Sequence, residues 1–407
     1  MRVLIHSNRE ELDRNLEPVN YAELPVLKKK WGGNIGNKLF LTAMDVYCHM
    51  EGVEYEYLTS DMTPEYINEN FELILWPLAN CFCASKEIMG YLDVYTEKLK
   101  SYHIPVLALG AGAQANSYDE INDLVNAIRP TATAFIDAVH ATGGMFGLRG
   151  YFTGEVFKKL GYTNDLVTGC PSMYQMGRDL RIDKRELDET SLRLAINGDA
   201  SSMKIYRKND IYKKYPNTWF VDQGEYVLLL YDKKNPKIGV KELRAYMSQC
   251  SRLGIEMLAD NRIICIYDLP RLAYHLKSLN LDLSFGQRIH GNILCTLLGI
   301  PAIVYTHDSR TKELAEFFNI PIYAGNSDRV DILEAYENVE WNTFNKEFAG
   351  KYDQFEKMLM DYGMPSISTN KYNLLTDVER YKMPMHINDY SEVKELLKHN
   401  FLWAGKK

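Results

Sequence analysis

The sequence has 407 residues, 46% of them hydrophobic and 25% charged. That is the balance of a globular protein with a sizeable core and two or three domains, and it excludes a disordered, collagen-like or coiled-coil chain. A net charge of -7 argues against general binding to the phosphates of nucleic acid. The longest apolar run, residues 293–305, is too short and too broken by glycine and proline to span a bilayer.

Seven cysteines are scattered along the chain, mostly among apolar neighbours. This pattern is typical of buried, reduced thiols in a cytoplasmic protein. The only close pair, Cys81 and Cys83, lacks the spacing and the second pair of a zinc site. The first residues reach Arg9 without the apolar core of a signal peptide. We therefore expect a cytoplasmic location, no metal ion and no other cofactor.

In the first half, short β-branched or leucine-rich runs alternate with helical patterns. Runs of this kind are typical of strands buried on both faces, as in a parallel sheet. The predicted strands are 3–6, 54–58, 73–76, 106–109 and 166–168, with helices near 37–51, 85–102, 117–129 and 152–160.

The pattern restarts after residues 179–189, a segment with eight charged residues and no aromatic residue, which we take as a linker. The second half offers strands at 192–197, 219–221, 226–231, 263–267, 281–285 and 302–305, with helices near 239–253, 269–279, 289–298 and 309–318.

Two successive runs of β-α units predict an α/β protein with two doubly wound, Rossmann-like domains facing a cleft. The first domain covers residues 1–178, and the second covers 190–339. Residues 340–407 form a helical, charge-mixed tail that is expected to return to the first domain. Ligands of such sheets bind outside the carboxyl ends of the strands, so the candidate sites are the loops there.

Three loops of the first half are candidates. Residues 32–37 (Gly-Gly-Asn-Ile-Gly-Asn) precede a helix, where free N–H groups favour an anion or polar ligand, although a plain turn with an Asn cap is an alternative. Residues 110–115 fit G-x-G-x-x-A, but the motif follows the fourth predicted strand, so we favour a tight cleft loop with Gln114 as a contact over a dinucleotide site. Arg149 stands at a helix start, where an anionic ligand would offset its repulsion from the helix dipole; an exposed arginine is the alternative.

The strongest candidate is residues 281–292, in which a buried strand runs through Gly286 into an apolar helix. Arg288 and His290 therefore lie at a strand's carboxyl end and a helix's N-terminus. Arginine binds carboxylate or phosphate through its planar fork, and histidine can transfer a proton near neutral pH. The next strand leads into residues 305–312, where Arg310 and Lys312 again suggest a phosphate, with Asp308 as a simple helix cap the alternative.

The motifs, taken in order, resemble the polysaccharide pyruvyl transferase family over roughly residues 30–325. The matching segments are 33–37 (Gly-Asn-Ile-Gly-Asn), the Gly-Leu-Arg-Gly at 147–150, 168–172 (Thr-Gly-Cys-Pro-Ser), 287–291 (Gln-Arg-Ile-His-Gly) and 307–312 (His-Asp-Ser-Arg-Thr-Lys).

The resemblance implies a GT-B-like fold and transfer of pyruvate from phosphoenolpyruvate, as a ketal, to a sugar of an exopolysaccharide or similar precursor. It implies that Arg149, Arg288, Ile289 and either Arg310 or Lys312 contact the donor, with His290 as the general acid. Many relatives carry Asp at the positions of Asn37, Gly150 and Cys170, so this chain lacks three carboxylates.

We expect the acceptor, a sugar that is free or lipid-linked, against Asn34, Asn37 and Gln114. The basic, tyrosine-rich residues 204–215 are either a contact with the inner face of the membrane or an ordinary solvated face. Two other functions stay open on the same fold, a sugar-nucleotide glycosyltransferase and a non-catalytic sugar-binding protein.

Overall fold

The computed structural model describes residues 1–7, 35–198, 202–223, 257, 262–264, 269–323, 325–370, 372, 373 and 375. The predicted strand at 226–231, the predicted helix at 239–253, Asn34 and the tail beyond residue 375 lie outside these residues, as does the side chain of Lys204. Helices and strands are numbered below over the described residues only.

Six parallel strands and one short additional strand form the first sheet. They are β1 (Arg2–Ile5), β2 (Glu54–Tyr57), β3 (Leu73–Pro77), β4 (Asn80–Phe82), β5 (Val106–Ala113), β6 (Met145–Leu148) and β7 (Leu166–Val167). Their order is β2-β1-β3-β5-β6-β7, and β4 pairs with the end of β5. The helices between them are α1 (Lys38–Cys48), α2 (Pro64–Asn70), α3 (Lys86–Leu99), α4 (Ile121–Ala141) and α5 (Tyr151–Leu160).

The second sheet is also parallel. Its strands are β8 (Leu194–Asn197), β9 (Thr218–Val221), β10 (Ile263–Ile264), β11 (Leu283–Gly286), β12 (Ala302–Tyr305) and β13 (Ile322–Tyr323), in the order β10-β9-β8-β11-β12-β13. Its described helices are α6 (Met203–Lys208), α7 (Ile211–Lys214), α8 (Leu269–Ser278), α9 (Ile289–Leu297), α10 (Ser309–Phe318), α11 (Ile332–Glu337) and α12 (Asn342–Asp361).

Both strand orders reverse direction once, which confirms the predicted fold class of two doubly wound α/β sheets in a GT-B-like arrangement. The reversal falls between β1 and β3 in the first sheet and between β8 and β11 in the second. The buried strands explain why the sequence pattern was clear: every residue of β3, β5 and β11 is buried. The domain boundaries themselves stay a prediction.

Helix α4 is longer than the sequence pattern predicted, because it continues through Pro130 to Ala141. Proline normally ends a helix by removing a backbone donor and crowding the preceding turn. Here Ile128, Ala132 and Phe135 keep one apolar face buried on both sides of the proline, and the packing of that face offsets the local cost.

Helix α12 follows the second sheet in the chain but packs against residues of the first half. Its Phe355 stacks on Tyr174 at 4.5 Å between ring centroids and lies 5.2 Å from Tyr47 of α1. Each aromatic pair of this kind contributes about 0.5–1.5 kcal/mol beyond the area it buries. As a result, a single hydrophobic core runs from α1 and β1 through α12 into the second sheet.

Candidate functional site

A cavity of about 400 Å³ lies between the two sheets, where loops at the carboxyl ends of their strands meet. Residues after β3, β5 and β6 form one wall, and the starts of α9 and α10 form the other. The lining residues are Asn37, Ala79, Asn80, Ile88, Gln114, Arg149, Gln287, Arg288, Ile289, His290, His307, Arg310 and Thr311.

Arg149 is a buried cation of this cavity. Its backbone N–H donates to the carbonyl of Ala111 at 2.8 Å, which continues the pairing of β5 with β6 beyond the end of the strand. The side chain is only 3% exposed, and its Nη1 donates to Oδ1 of Asn80 at 2.6 Å. Its Nε and Nη2 have no hydrogen-bond partner among the described residues. A buried guanidinium without a carboxylate partner is costly, and an anion in the cavity would offset that cost.

Gly112 explains the glycine-rich end of β5. A Cβ atom there would lie 3.2 Å from Arg149 Cδ and 3.2 Å from Asn80 Oδ1, closer than side chains normally approach. The glycine therefore makes room for the Arg149–Asn80 pair. This packing accounts for the second glycine of the G-x-G pattern that the sequence shares with dinucleotide-binding loops.

The start of α9 holds Arg288 and His290 in place. Arg288 is the N-cap residue, and its backbone N–H donates to the carbonyl of Asn197 at the end of β8 at 3.0 Å. Asn292, one turn further, donates to the carbonyl of Gly286 at 2.9 Å and accepts from Ser284 Oγ at 2.7 Å. These bonds join the loop to the point where the strand order of the second sheet reverses.

His290 is 7% exposed, and its ring lies 5.6 Å from the ring of Phe40. Its Nε2 is 3.9 Å from Cys170 Sγ. Burial, the largest cause, and the positive charges of Arg149 and Arg310 together lower the pKa of His290 to about 3. The imidazole is therefore neutral in the free protein at pH 7, and an anion between the two arginines would favour its protonation.

Arg310 and Lys312 point in different directions. Arg310 lines the cavity, and its Nη2 pairs with Asp308 at 2.6 Å. Lys312 is not among the cavity residues: its Nζ lies 4.4 Å from the centre of the Tyr118 ring and 3.7 Å from Glu316 Oε1. Two residues along a helix differ by about 200° around its axis, which separates the side chains. Asp308 is also the N-cap of α10, as the alternative interpretation held.

The remaining predicted residues are distributed as follows. Asn37, Gln114 and Ile289 line the cavity, whereas Asn34 lies outside the described residues. Six lining residues were not predicted as site residues: Ala79, Asn80, Ile88, Gln287, His307 and Thr311. Asn80 follows a buried strand, as Arg149 does, and this position could have identified it as a candidate from the sequence. His307 was part of a quoted motif but had no assigned role.

The basic segment 204–215 is mostly neutralised at the surface. Lys208 pairs with Asp328 at 2.7 Å, and Lys214 pairs with Asp331 at 3.1 Å. Exposed pairs of this kind contribute little to stability, but they reduce the positive charge offered to a membrane. This arrangement supports the ordinary solvated face over a membrane contact.

Within the described residues, no group of three or more His, Cys, Asp or Glu side chains could hold a metal ion. The same residues contain no helix long and apolar enough to cross a membrane. The cytoplasmic location stays a prediction.

The fold and the cavity define an α/β protein with three arginines and two histidines between its two sheets. A family model described as "Polysaccharide pyruvyl transferase" matches residues 98–309, just over half of the chain. The chain therefore belongs to the polysaccharide pyruvyl transferase family, which makes it a transferase of polysaccharide synthesis. No curated protein matches it in sequence.

Several solved structures resemble the chain distantly. A functionally uncharacterised protein from Klebsiella pneumoniae is 13% identical with a TM-score of 0.39, covering 80% of this chain and 93% of its own. A putative UDP-N-acetylglucosamine 2-epimerase from Listeria monocytogenes is 12% identical with a TM-score of 0.38, covering 92% and 93%. A variant of the wall teichoic acid polymerase TagF is 10% identical with a TM-score of 0.34, covering 98% and 90%. Likenesses this distant add nothing to what the topology of the two sheets establishes.

Proposed function

We propose that this protein transfers the pyruvyl group of phosphoenolpyruvate to a sugar of a polysaccharide precursor, forming a cyclic ketal and releasing phosphate. The observation that carries the proposal is the buried guanidinium of Arg149, with two N–H groups unpartnered among the described residues, in the same cavity as Arg288, Arg310 and His290. Phosphoenolpyruvate is a compact anion with a carboxylate and a phosphate. Arginines bind both groups through paired N–H donors.

The first step in this scheme is proton transfer from His290 to the methylene carbon of the donor. The electrons of the double bond form the new C–H bond, and the central carbon becomes cationic. A sugar hydroxyl attacks that carbon and loses its proton. The central C–O bond to phosphate then breaks with both electrons leaving on phosphate, and the central carbon becomes cationic again. A second hydroxyl of the sugar attacks it and closes the ketal. Of the two protons that the hydroxyls lose, one returns to His290 and the other leaves on phosphate.

The low pKa of His290 fits this scheme only if the donor supplies the missing negative charge. The free protein keeps the imidazole neutral, since burial and two arginines oppose its protonation. A bound anion between Arg149 and Arg310 reverses the sign of that local potential. Donor binding and activation of the acid are therefore coupled.

The acceptor would enter from the side of the cavity formed by the first sheet. Asn37 and Gln114 lie there and offer amide groups that can both donate to and accept from sugar hydroxyls. We propose a sugar acceptor, free or lipid-linked, at this wall, and a cytoplasmic site of reaction.

A thermal-shift series tests the proposal directly. Phosphoenolpyruvate at 100 times its dissociation constant should stabilise the protein by about 2.7 kcal/mol, and incubation with it and a panel of aryl or lipid-linked glycosides should yield a ketal detected by mass. Stabilisation by nucleoside diphosphates instead would favour a glycosyltransferase. Stabilisation by a sugar alone would favour a binding protein.

We predict that Arg310, and not Lys312, contacts the donor. Arg310→Ala should raise the dissociation constant of phosphoenolpyruvate at least about tenfold, since it removes a charged hydrogen-bond donor from the cavity. Lys312→Ala is the matched control, a cation of the same helix outside the cavity, and should change the constant by less than about threefold. Calorimetric titration measures both, and the reverse order of effects would contradict the assignment.

A further inference from the structure

The two domains meet along one face of helix α10. Among the residues of this helix that contact the first domain, four have the spacing of i, i+4, i+7 and i+8 that places them on one side of a helix. Ser309 exchanges two hydrogen bonds with Ala115, at 3.0 and 3.3 Å. The other three contacts are Glu313 with Thr153, Glu316 with Tyr118, and Phe317 with Tyr151.

Glu313 is the buried member of this face, with no exposed surface. Its carboxylate accepts from the backbone N–H of Thr153 at 3.0 Å and from Thr153 Oγ1 at 2.9 Å. Thr153 Oγ1 in turn accepts from the backbone N–H of Ala113, the last residue of β5, at 2.8 Å. A single carboxylate of the second domain is thus connected to the end of a central strand of the first.

The contact also caps a helix from the opposite domain. Helix α5 begins after Gly150, which has no side chain and makes no capping bond. The amide of Thr153 is one of the orphan donors that a helix start leaves unsatisfied. Glu313 satisfies it, and a negative charge at this end also complements the helix dipole.

Gly150 appears at this position because Glu313 occupies the space beside it. A Cβ atom on residue 150 would lie 2.9 Å from Glu313 Cβ, 2.9 Å from its carbonyl oxygen and 3.0 Å from Oε2. Any other residue would push α10 away from the first domain. The close approach of Glu313 therefore leaves no room for a side chain at position 150.

Arg149 and Arg310 lie immediately next to this contact. Arg149 precedes Gly150. Burial raises the pKa of Glu313 to about 7, although the hydrogen bond from the Thr153 N–H and the positive charge of Arg149 both act to lower it. Arg310 is on the same helix as Glu313, less than one turn away. Displacement of α10 would therefore change the distance between the two arginines.

We propose that Glu313 is a positioning residue: by binding the start of α5 across the domain interface, it holds Arg149 opposite Arg310 and sets the spacing of the cations that receive the donor. The inference rests on the proposed function for its ligand, but not for its geometry. A carboxylate of the second domain thereby fixes the position of an arginine of the first domain.

The test uses variants from both sides of the contact, at pH 8. Glu313→Ala removes the bond, and Gly150→Ala pushes the helices apart without deleting a polar group. Both should raise KM and the dissociation constant for phosphoenolpyruvate at least about tenfold, with a smaller change in kcat. Glu313→Gln keeps an acceptor for the Thr153 N–H and should recover affinity to within about threefold of the wild type. A merely destabilised enzyme would instead lose active fraction and keep its KM.

Tyr118→Phe is the control, since it deletes another bond between the domains, from Tyr118 to Glu316 at 2.7 Å, away from Arg149. Its donor affinity should stay within about threefold of the wild type. Small-angle scattering without ligand gives a second readout: Glu313→Ala and Gly150→Ala should enlarge the radius of gyration, and Tyr118→Phe should not.

The outcomes separate the two proposals. Wild-type affinity in Glu313→Ala, or unchanged scattering in that variant and in Gly150→Ala, overturns the positioning role and leaves the proposed function standing. A wild-type protein that does not bind phosphoenolpyruvate overturns the proposed function. In that case the scattering series alone decides whether Glu313 sets the domain spacing.

Discussion

Replacing His290 by Asn or Ala should lower turnover by about 10²–10⁴-fold, the usual contribution of a general acid. His290 has the position for this role, because it lies at the start of α9 in the same cavity as Arg149 and Arg310. Its ring lies 5.6 Å from that of Phe40, and its Nε2 lies 3.9 Å from Cys170 Sγ. Loss of the imidazole therefore removes the acid and leaves the donor-binding arginines in place.

The measurement is steady-state turnover, with donor affinity determined separately by calorimetry. Affinity should change much less than kcat, since the arginines bind the charges of the donor. His275→Ala is a suitable control, because His275 is on α8 and is not among the cavity residues. Circular dichroism would verify that each variant is folded. Full turnover in a folded His290→Asn protein would exclude the acid role.

Phosphoenolpyruvate should raise the pKa of His290 above its value of about 3 in the free protein. The sign follows from the charges around the ring. Burial and the two arginines favour the neutral imidazole, and a bound anion offsets the arginines and favours the protonated form. The complex therefore takes up a proton in the pH range between the free and the bound pKa of His290.

Two pH dependences follow from this linkage. Donor affinity should strengthen as the pH falls through the bound pKa of His290 and level off near its free pKa. Turnover should decline as the pH rises through the bound pKa, because the acid is then unprotonated in the complex. Both can be measured by calorimetry, by kinetics and by NMR of the histidine ring with and without the donor.

The donor itself also titrates, so the comparison needs a variant without the imidazole. His290→Gln keeps a polar side chain of similar size and should retain only the pH dependence of the donor. The difference between the two profiles belongs to His290. A fall in the pKa of the ring on donor binding, or identical profiles in the two proteins, would contradict the coupling.

Much of the fold could be predicted from the sequence, because it depends on short, strongly apolar strands. The runs at β3, β5 and β11 are buried on both faces, so their hydrophobicity is nearly continuous and easily recognised. Helix α4 was predicted too short, since the effect of Pro130 on the local backbone is visible in the sequence and the packing that offsets it is not.

The arrangement of Arg288 and His290 was determined by the sequence itself. A buried strand, a glycine and an apolar helix place these residues at the helix start through local geometry alone, whatever the rest of the chain does. The structure has both in the predicted location.

Only the tertiary structure decided which partners these residues meet. Asn80 beside Arg149, Arg310 rather than Lys312 at the cavity, and Glu313 at the start of α5 depend on contacts between segments far apart in the chain. The low pKa of His290 likewise comes from burial and from arginines of both domains. Such contacts depend on how two domains pack, and hydrophobic periodicity within one segment contains no information about that packing.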